Sequence, residues 1–287
     1  MVCGEMKTYD LALPLGYCCA LSQSMRIVGL QYASLPLDWV GIVSLKHAVQ
    51  LIIDDFQNWF ARDLLELWEV RICGGHVSRV YRNRKNGVGF IHEFSNGHPI
   101  EKYYEEERAK YERRIQRFYK LMASVKSVFV AYLEYPNQER LSDAELITAR
   151  DALQAKFPNV QIDFAYLYED PEVQGQREER VSEGLTAYAL DYRMFLNGEL
   201  MHTCKMDVIQ KCLAGIARVE DLRTEAEKSK FAEFKRRERL AGLGGGSKFR
   251  QKLNKRLLRW FRNMEEYLES QHIMPGDRPL WFYGDGK

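Results

Sequence analysis

The feature that most constrains this chain is a strand–helix–strand run near its middle. SVFVAYLEY (127–135) is a continuous apolar stretch of the kind that forms a strand buried on both faces. SDAELITARDALQAKF follows at helical spacing, with Ser142 placed to cap it, and NVQIDFAYLYE is a second strand. Two buried strands joined through a helix pair in parallel, and a parallel sheet needs helices over its faces. The expectation is an α/β protein with a mostly parallel central sheet flanked by helices. YDLALPL (9–15) adds an N-terminal strand to the same pattern.

The remaining elements fit around that sheet. Leu21, Met25 and Val28 recur at helical spacing after Cys19, and Gly29 marks a stop. ASLPLDWV reads as a loop because Pro36 excludes a regular helix, and SLKHAVQLIIDDF reads as a helix capped by Ser44. ELWEVRIC and HVSRVYRN alternate as two strands around Gly74 and Gly75, and FIHEF is a short strand with Phe90, His92 and Phe94 on one face. Tyr104, Tyr111, Ile115, Phe118 and Met122 form the stripe of a long helix, and LTAYALDYRMF is a further strand. From about residue 205 the pattern turns helical. These signals divide the chain into an α/β domain, 1–200, and a helical basic region, 201–287, packed on that domain or extending from it.

Charge is distributed unevenly. The net charge is +2, yet residues 228–262 hold thirteen Lys or Arg against two Glu, a local +11 that leaves −9 elsewhere. Leu253, Leu257, Trp260, Phe261 and Met264 mark an apolar face among Lys248, Arg250, Lys252, Lys255, Arg256 and Arg259. Such a helix suits an anionic membrane surface, with Trp260 at the headgroup level, or packs its apolar face on the body with the charges solvated. Nucleic acid is the weaker partner, since no recognised binding module is present. No apolar run is long enough to span a bilayer, and the N-terminal residues lack the basic and apolar regions of a secretory signal. A cytoplasmic protein is expected, peripheral on the inner membrane face if the basic segment binds there. Six cysteines at 3, 18, 19, 73, 204 and 212 lack zinc or disulfide-scaffold spacing, so free thiols are expected. His202, Cys204 and Cys212 do not make a zinc set, and Gly244–Gly246 has neither the preceding strand nor the closing residues of a phosphate loop. No metal or cofactor is expected.

The chemistry concentrates in LGYCCALSQSMR (15–26). A sharp turn at Gly16 places Cys18 and Cys19 where a strand hands over to a helix. Helix amides and the helix dipole lower a thiol's pKa there and can hold an oxyanion. The competing reading makes both cysteines small buried hydrophobes. His76, His98 and His202 stand in loops or at strand ends, and His47 lies on a helix.

LGYCCALSQSMRIVGLQYASLPLDWV, NGVGFIHEF and RRIQRFYKLMASVKSVFVAYLE together resemble a bacterial family of unknown function catalogued as papain-like cysteine peptidases. The family's marks are an LG-x-N-C turn, a G-L-R-x-x-S-x-P-F-D-W segment, an F-x-H-D-F segment and a strand after a basic helix. The resemblance spans about half of the chain. It implies a nucleophile at Cys19, with Cys18 where the family has Asn, an acid at Asp38 and a histidine at His92 followed by Glu93. Leu37 stands for the family's Phe, Glu93 for its Asp, and the V-R-x-E strand reads Val130-Ala131-Tyr132 with Glu134 close by.

By Cys-His logic, His92 would take the Cys19 proton and Asp38 or Glu93 would orient the ring, giving hydrolysis of a peptide, amide or ester. A histidine between two phenylalanines also suits a hydrogen-bonded half-core position, and Asp38 beside Trp39 also suits a turn-fastening role. A second reading is a transferase-like enzyme of surface-polysaccharide assembly, in which Gly16, Tyr17, Cys18, Ser34 and Trp39 contact a nucleotide-sugar or other phosphorylated donor. A third is a non-enzymatic binding module.

Overall fold

The computed structural model describes residues 6–233 apart from 42–43, 74–75, 96–99, 137, 197–198, 227 and 230–231. The chain opens with β1 (Lys7–Tyr9) and β2 (Leu11–Gly16), turns into α1 (Cys19–Ile27), and crosses a loop to β3 (Val40–Gly41) and α2 (Leu45–Ile53). Strands β4 (Leu65–Cys73), β5 (His76–Asn83) and β6 (Gly89–Ser95) follow as a meander. Helix α3 (Tyr104–Ser124) then leads to β7 (Ser127–Leu133). After α4 (Asp143–Lys156) come β8 (Gln161–Glu169), β9 (Gln176–Ser182) and β10 (Leu185–Leu190). The described elements end with β11 (Arg193–Leu196), β12 (Glu199–Cys204), α5 (Met206–Ile216) and β13 (Ala217–Val219).

The central sheet runs β2-β7-β8-β10 in parallel, with β9 antiparallel on its far edge. Strand periodicity sorts its side chains to two faces. Leu11, Leu13, Leu15, Val130, Tyr132, Phe164 and Tyr166 share one core with residues of α2, α3 and α4. Ala12, Phe129, Ala131, Leu133, Ala165 and Leu167 share the other with α1 and α5. The mostly parallel sheet between helical layers is therefore observed. Pro14 lies in β2 opposite Ala131. Among the described residues β2 has a sheet neighbour on one side only, and such a strand tolerates a residue lacking an N–H.

A second, antiparallel sheet in the order β3-β6-β5-β4 is built from the segment between α1 and α3. An aromatic seam fastens it to α3, with Phe60 and Phe90 centroids 4.6 Å apart and Trp59 and Tyr111 4.8 Å apart. Edge-to-face rings of this kind add to the burial they bring.

Several sequence signals have visible structural counterparts. Gly29 ends α1 at φ +78, and Leu30 N–H reaches back to the Met25 carbonyl at 2.8 Å, a left-handed helix stop. Ser44 caps α2 by accepting from His47 N–H. LTAYALDYRMF forms two strands, β10 and β11, with Asp191 and Tyr192 between them. Residues 199–219 supply a strand, a helix and a strand to the same body, with α5 packed on α1 and β13 paired to β1. Residues 234–287, which carry Lys248, Arg250, Lys252, Lys255, Arg256, Arg259 and Trp260, lie outside the described residues. Among the described residues, no helix is long and apolar enough to cross a membrane.

Ser142 and Glu145 form a reciprocal capping box at the start of α4, the crossover helix between β7 and β8. Ser142→Ala is expected to lower unfolding free energy by about 1 kcal/mol, read as a lower urea midpoint at unchanged slope.

Candidate active site

The carboxyl ends of β2 and β7 meet at the pair Gly16–Leu133, and Tyr17 N–H continues toward the Leu133 carbonyl at 3.4 Å. Gly16 permits the tight hand-over into α1. A Cβ there would stand 3.3 Å from both Cβ and Cδ2 of Leu21. Cys18 is extended and forms the N-cap, and Cys19 is the first helical residue. The Cys18 sulfur accepts from Ala20 N–H, and among the described residues α1 has no acid in its first turn. Its opening amides and dipole thus remain suited to an anion or a thiolate. Both thiols are half-buried. They sit at the carboxyl edge of the parallel strands, where open α/β sheets place their ligands.

A third sulfur joins them from the far end of the sequence. Cys204, buried at the end of β12, lies 2.6 Å from the Tyr17 hydroxyl and also hydrogen-bonds with Cys18. Burial and the neighbouring sulfurs push Tyr17 upward, so its hydroxyl keeps the proton and donates. Cys18 is raised well above the ordinary thiol range by its bond to Cys204 and then by burial. Cys204 is lowered, first by receiving that bond. The negative charge of this trio therefore favours Cys204. Nothing in the local sequence around either cysteine signals this meeting, because 185 residues lie between them.

Strand β6 reaches the turn through Gly41. A Cβ at Gly41 would stand 3.5 Å from Ile91 Cδ1 and 3.6 Å from the Tyr17 carbonyl oxygen. These are ordinary van der Waals distances, and they make β3, β6 and the turn close neighbours. The strand is irregular there, since Arg79 pairs with Phe94 and Tyr81 with Phe90, four steps along β6 against two along β5. Such a bulge re-aims side chains, and the clean alternation expected for FIHEF is lost. His92 lies within the irregular stretch, and its imidazole lies outside the described part of the structure, as do the side chains of His76 and His202 and the whole of His98.

Asp38 is fully enclosed. One carboxylate oxygen accepts from Gln31 Nε2 at 2.8 Å; the other accepts from Arg26 Nη2 and Leu35 N–H, each at 2.8 Å. Arg26 also donates to Ser34 Oγ at 3.1 Å and lies over the Trp39 ring at 5.3 Å. Arg117 of α3 donates to the Ser34 carbonyl at 2.7 Å. Asp38, Ser34 and Trp39 thus tie the loop after α1 to the helix's last turn and to α3, and all three are buried.

Two further carboxylates stand near these elements. Glu93 of β6 is buried against α3, accepting from the Tyr111 hydroxyl at 2.7 Å with Lys110 Nζ at 3.6 Å. Glu134 follows β7, accepting from Tyr132 at 3.1 Å and from its neighbour's N–H at 2.9 Å, and burial raises its carboxyl. The Tyr192 hydroxyl donates to the Glu134 carbonyl at 2.6 Å, and Tyr135 packs edge-on against Tyr17 at 4.9 Å. Among the described residues, no cluster of three or more His, Cys, Asp or Glu could hold a metal ion.

The sequence model of the family described as "Putative papain-like cysteine peptidase" matches residues 10–167, from just before β2 into β8 and more than half of the chain. The chain belongs to that family. An uncharacterized protein of Acanthamoeba polyphaga mimivirus is 34% identical to it over 158 residues, covering 50% of this chain and 70% of the relative. Relatives of the chain are therefore not confined to bacteria, as the motif resemblance had implied. No solved structure matches. The papain-like family match contains Cys19, Asp38, His92, Glu93 and Glu134, whereas Cys204 lies beyond it.

Two outcomes follow from the buried acids. Asp38→Ala leaves the Arg26 guanidinium, itself 5% exposed, without its carboxylate, and is expected to cost about 3–5 kcal/mol in urea unfolding. A raised Glu134 carboxyl gives stability that is present below its unfolded pKa and lost as pH rises through the folded value. Glu134→Gln abolishes that dependence. The variant should gain on wild type in urea midpoint as pH rises from about 4, the ordinary glutamate value, and a loss as pH rises would contradict the assignment.

Proposed function

We propose that this papain-like family member is a cysteine-dependent hydrolase of peptide, amide or ester bonds, with Cys19 as nucleophile and His92 as its base. The observation that carries the reading is the position of Cys19. It opens α1 at the carboxyl edge of the parallel sheet, on a helix with no acid in its first turn. The Cys19 thiolate attacks the substrate carbonyl, and the first-turn amides of α1 hold the oxyanion. His92 accepts the thiol proton and passes it to the leaving group; a water then hydrolyses the thioester with His92 again as base. The close approach of Tyr17, Gly41 and Ile91 supports this pairing, because it sets the strand of His92 beside the turn.

Asp38 and Glu93 act here as positioning residues. Asp38 fixes the loop that runs into Trp39, Val40 and Gly41. Glu93 holds β6 on α3 through Tyr111. Gly16, Tyr17 and Cys18 supply the backbone that a substrate meets, while Ser34 and Trp39 support it from within.

Alkylation rates test the assignment. Iodoacetamide at neutral pH should modify Cys19 at least ~10-fold faster than Cys212, whose thiol burial pushes to about 12. His92→Asn should slow the Cys19 reaction and flatten its pH dependence, and Cys19→Ser should abolish hydrolysis of a fluorogenic peptide library. Equal rates at Cys19 and Cys212 in the native protein would overturn the reading.

A further inference from the structure

The sulfur pair Cys18–Cys204 has no part in the proposed hydrolysis, yet its placement is specific. Cys18 is the N-cap of α1, and Cys204 directly precedes Lys205, the N-cap of α5. These helices pack on each other, so the positive ends of both are available to a charge held near the pair. The thiols hydrogen-bond with one another, share one apolar cluster with Tyr17, and stand in a backbone pinned on both sides. Lys205 N–H bonds the Tyr192 carbonyl at 2.8 Å, and Tyr17 N–H reaches that of Leu133. The Tyr17 hydroxyl, 2.6 Å from Cys204, is the second donor to that sulfur.

We propose that Cys18 and Cys204 form a reversible disulfide under hydroperoxide, a modification site that links the start of α1 to the end of β12 beside Cys19. The Cys204 thiolate attacks one peroxide oxygen, breaking the O–O bond to give a sulfenic acid at Cys204 and hydroxide, which takes up a proton to become water. The Cys18 sulfur then attacks the Cys204 sulfur, losing its proton, and the sulfenic oxygen leaves as a second water. In total two thiols lose two electrons and two protons, and hydrogen peroxide is reduced to two waters. The lowered Cys204 and the raised Cys18 suit this order, with Cys204 as the oxidised sulfur and Cys18 as the resolving one. Oxidation also takes from Tyr17 the anionic sulfur its hydroxyl donates to, so the turn that carries Cys19 changes its hydrogen bonding when the link closes. The inference does not depend on Cys19 being a nucleophile.

The test uses the full chain, oxidised with hydrogen peroxide, blocked with iodoacetamide and digested with trypsin without reduction. The expected product joins peptide 8–26, carbamidomethylated once on its remaining cysteine, to peptide 194–205, is about 2 Da lighter than those two peptides with the linked thiols free, and is reversed by dithiothreitol. Because peptide 8–26 holds both Cys18 and Cys19, Cys18→Ser and Cys19→Ser are treated in parallel. Loss of the link in Cys18→Ser and its survival in Cys19→Ser support the proposal. A link that survives in Cys18→Ser and vanishes in Cys19→Ser overturns it, as does a native chain giving no link while its sulfurs go to sulfinic acid. Circular dichroism of each variant establishes that its fold is intact before the result is counted. Should Cys18→Ser not fold, fragmentation of the linked peptide from the native chain decides between Cys18 and Cys19.

Discussion

The parallel pairing of β2 with β7 is the constraint on which the molecule depends. Its register, Leu11 with Val128 through Gly16 with Leu133, joins segments more than a hundred residues apart. Everything between them must therefore leave the sheet, fold, and return to the opposite end of the same layer. Helix α1 descends one face; the antiparallel sheet and α3 bring the chain back over the other side. Parallel pairing also sets both carboxyl ends on one edge. Gly16, Tyr17, Leu133, Glu134 and Tyr135 consequently meet there, and Cys19 opens a helix at that edge rather than lying within a strand.

Where a local rule decides structure, the sequence could be read directly. Apolar runs too long to alternate announced β7 and β8, the aromatic stripe from Tyr104 to Met122 announced α3, and Ser44, Ser142 and Gly29 marked helix ends. Strand β9 carries none of those signals. QREERVS is polar and largely exposed, and it is a strand because β10 offers it an unpaired edge. Likewise β13 takes its place from β1 rather than from its own three residues. Tertiary pairing can override weak local preference in this way.

The site divides along the same line. Cys19 at a helix start was legible, because a glycine turn between an apolar run and a helical pattern is a local event. The meeting of Tyr17 and Cys18 with Cys204 was not, because it depends on where the chain returns after the central sheet is complete. Asp38 shows a third case. Its motif is distinctive in sequence, and the structure uses its carboxylate to join Gln31, Arg26 and Leu35 in a buried knot. Buried charges held by several donors are rigid, and this one sets the loop that delivers Gly41 to the back of the Tyr17 carbonyl.

Pro14 has a consequence of another kind. A parallel sheet that ends in a bare strand exposes a ladder of amides and carbonyls that a second chain could extend. On β2 one rung of that ladder has no amide to give, in the middle of a six-residue strand. The border is thereby interrupted by covalent structure alone, independent of pH or salt. A chain emerging with β2 made and β7 still unsynthesised would carry the same interruption, and so would be guarded against pairing with its neighbours during the interval when its proper partner does not yet exist.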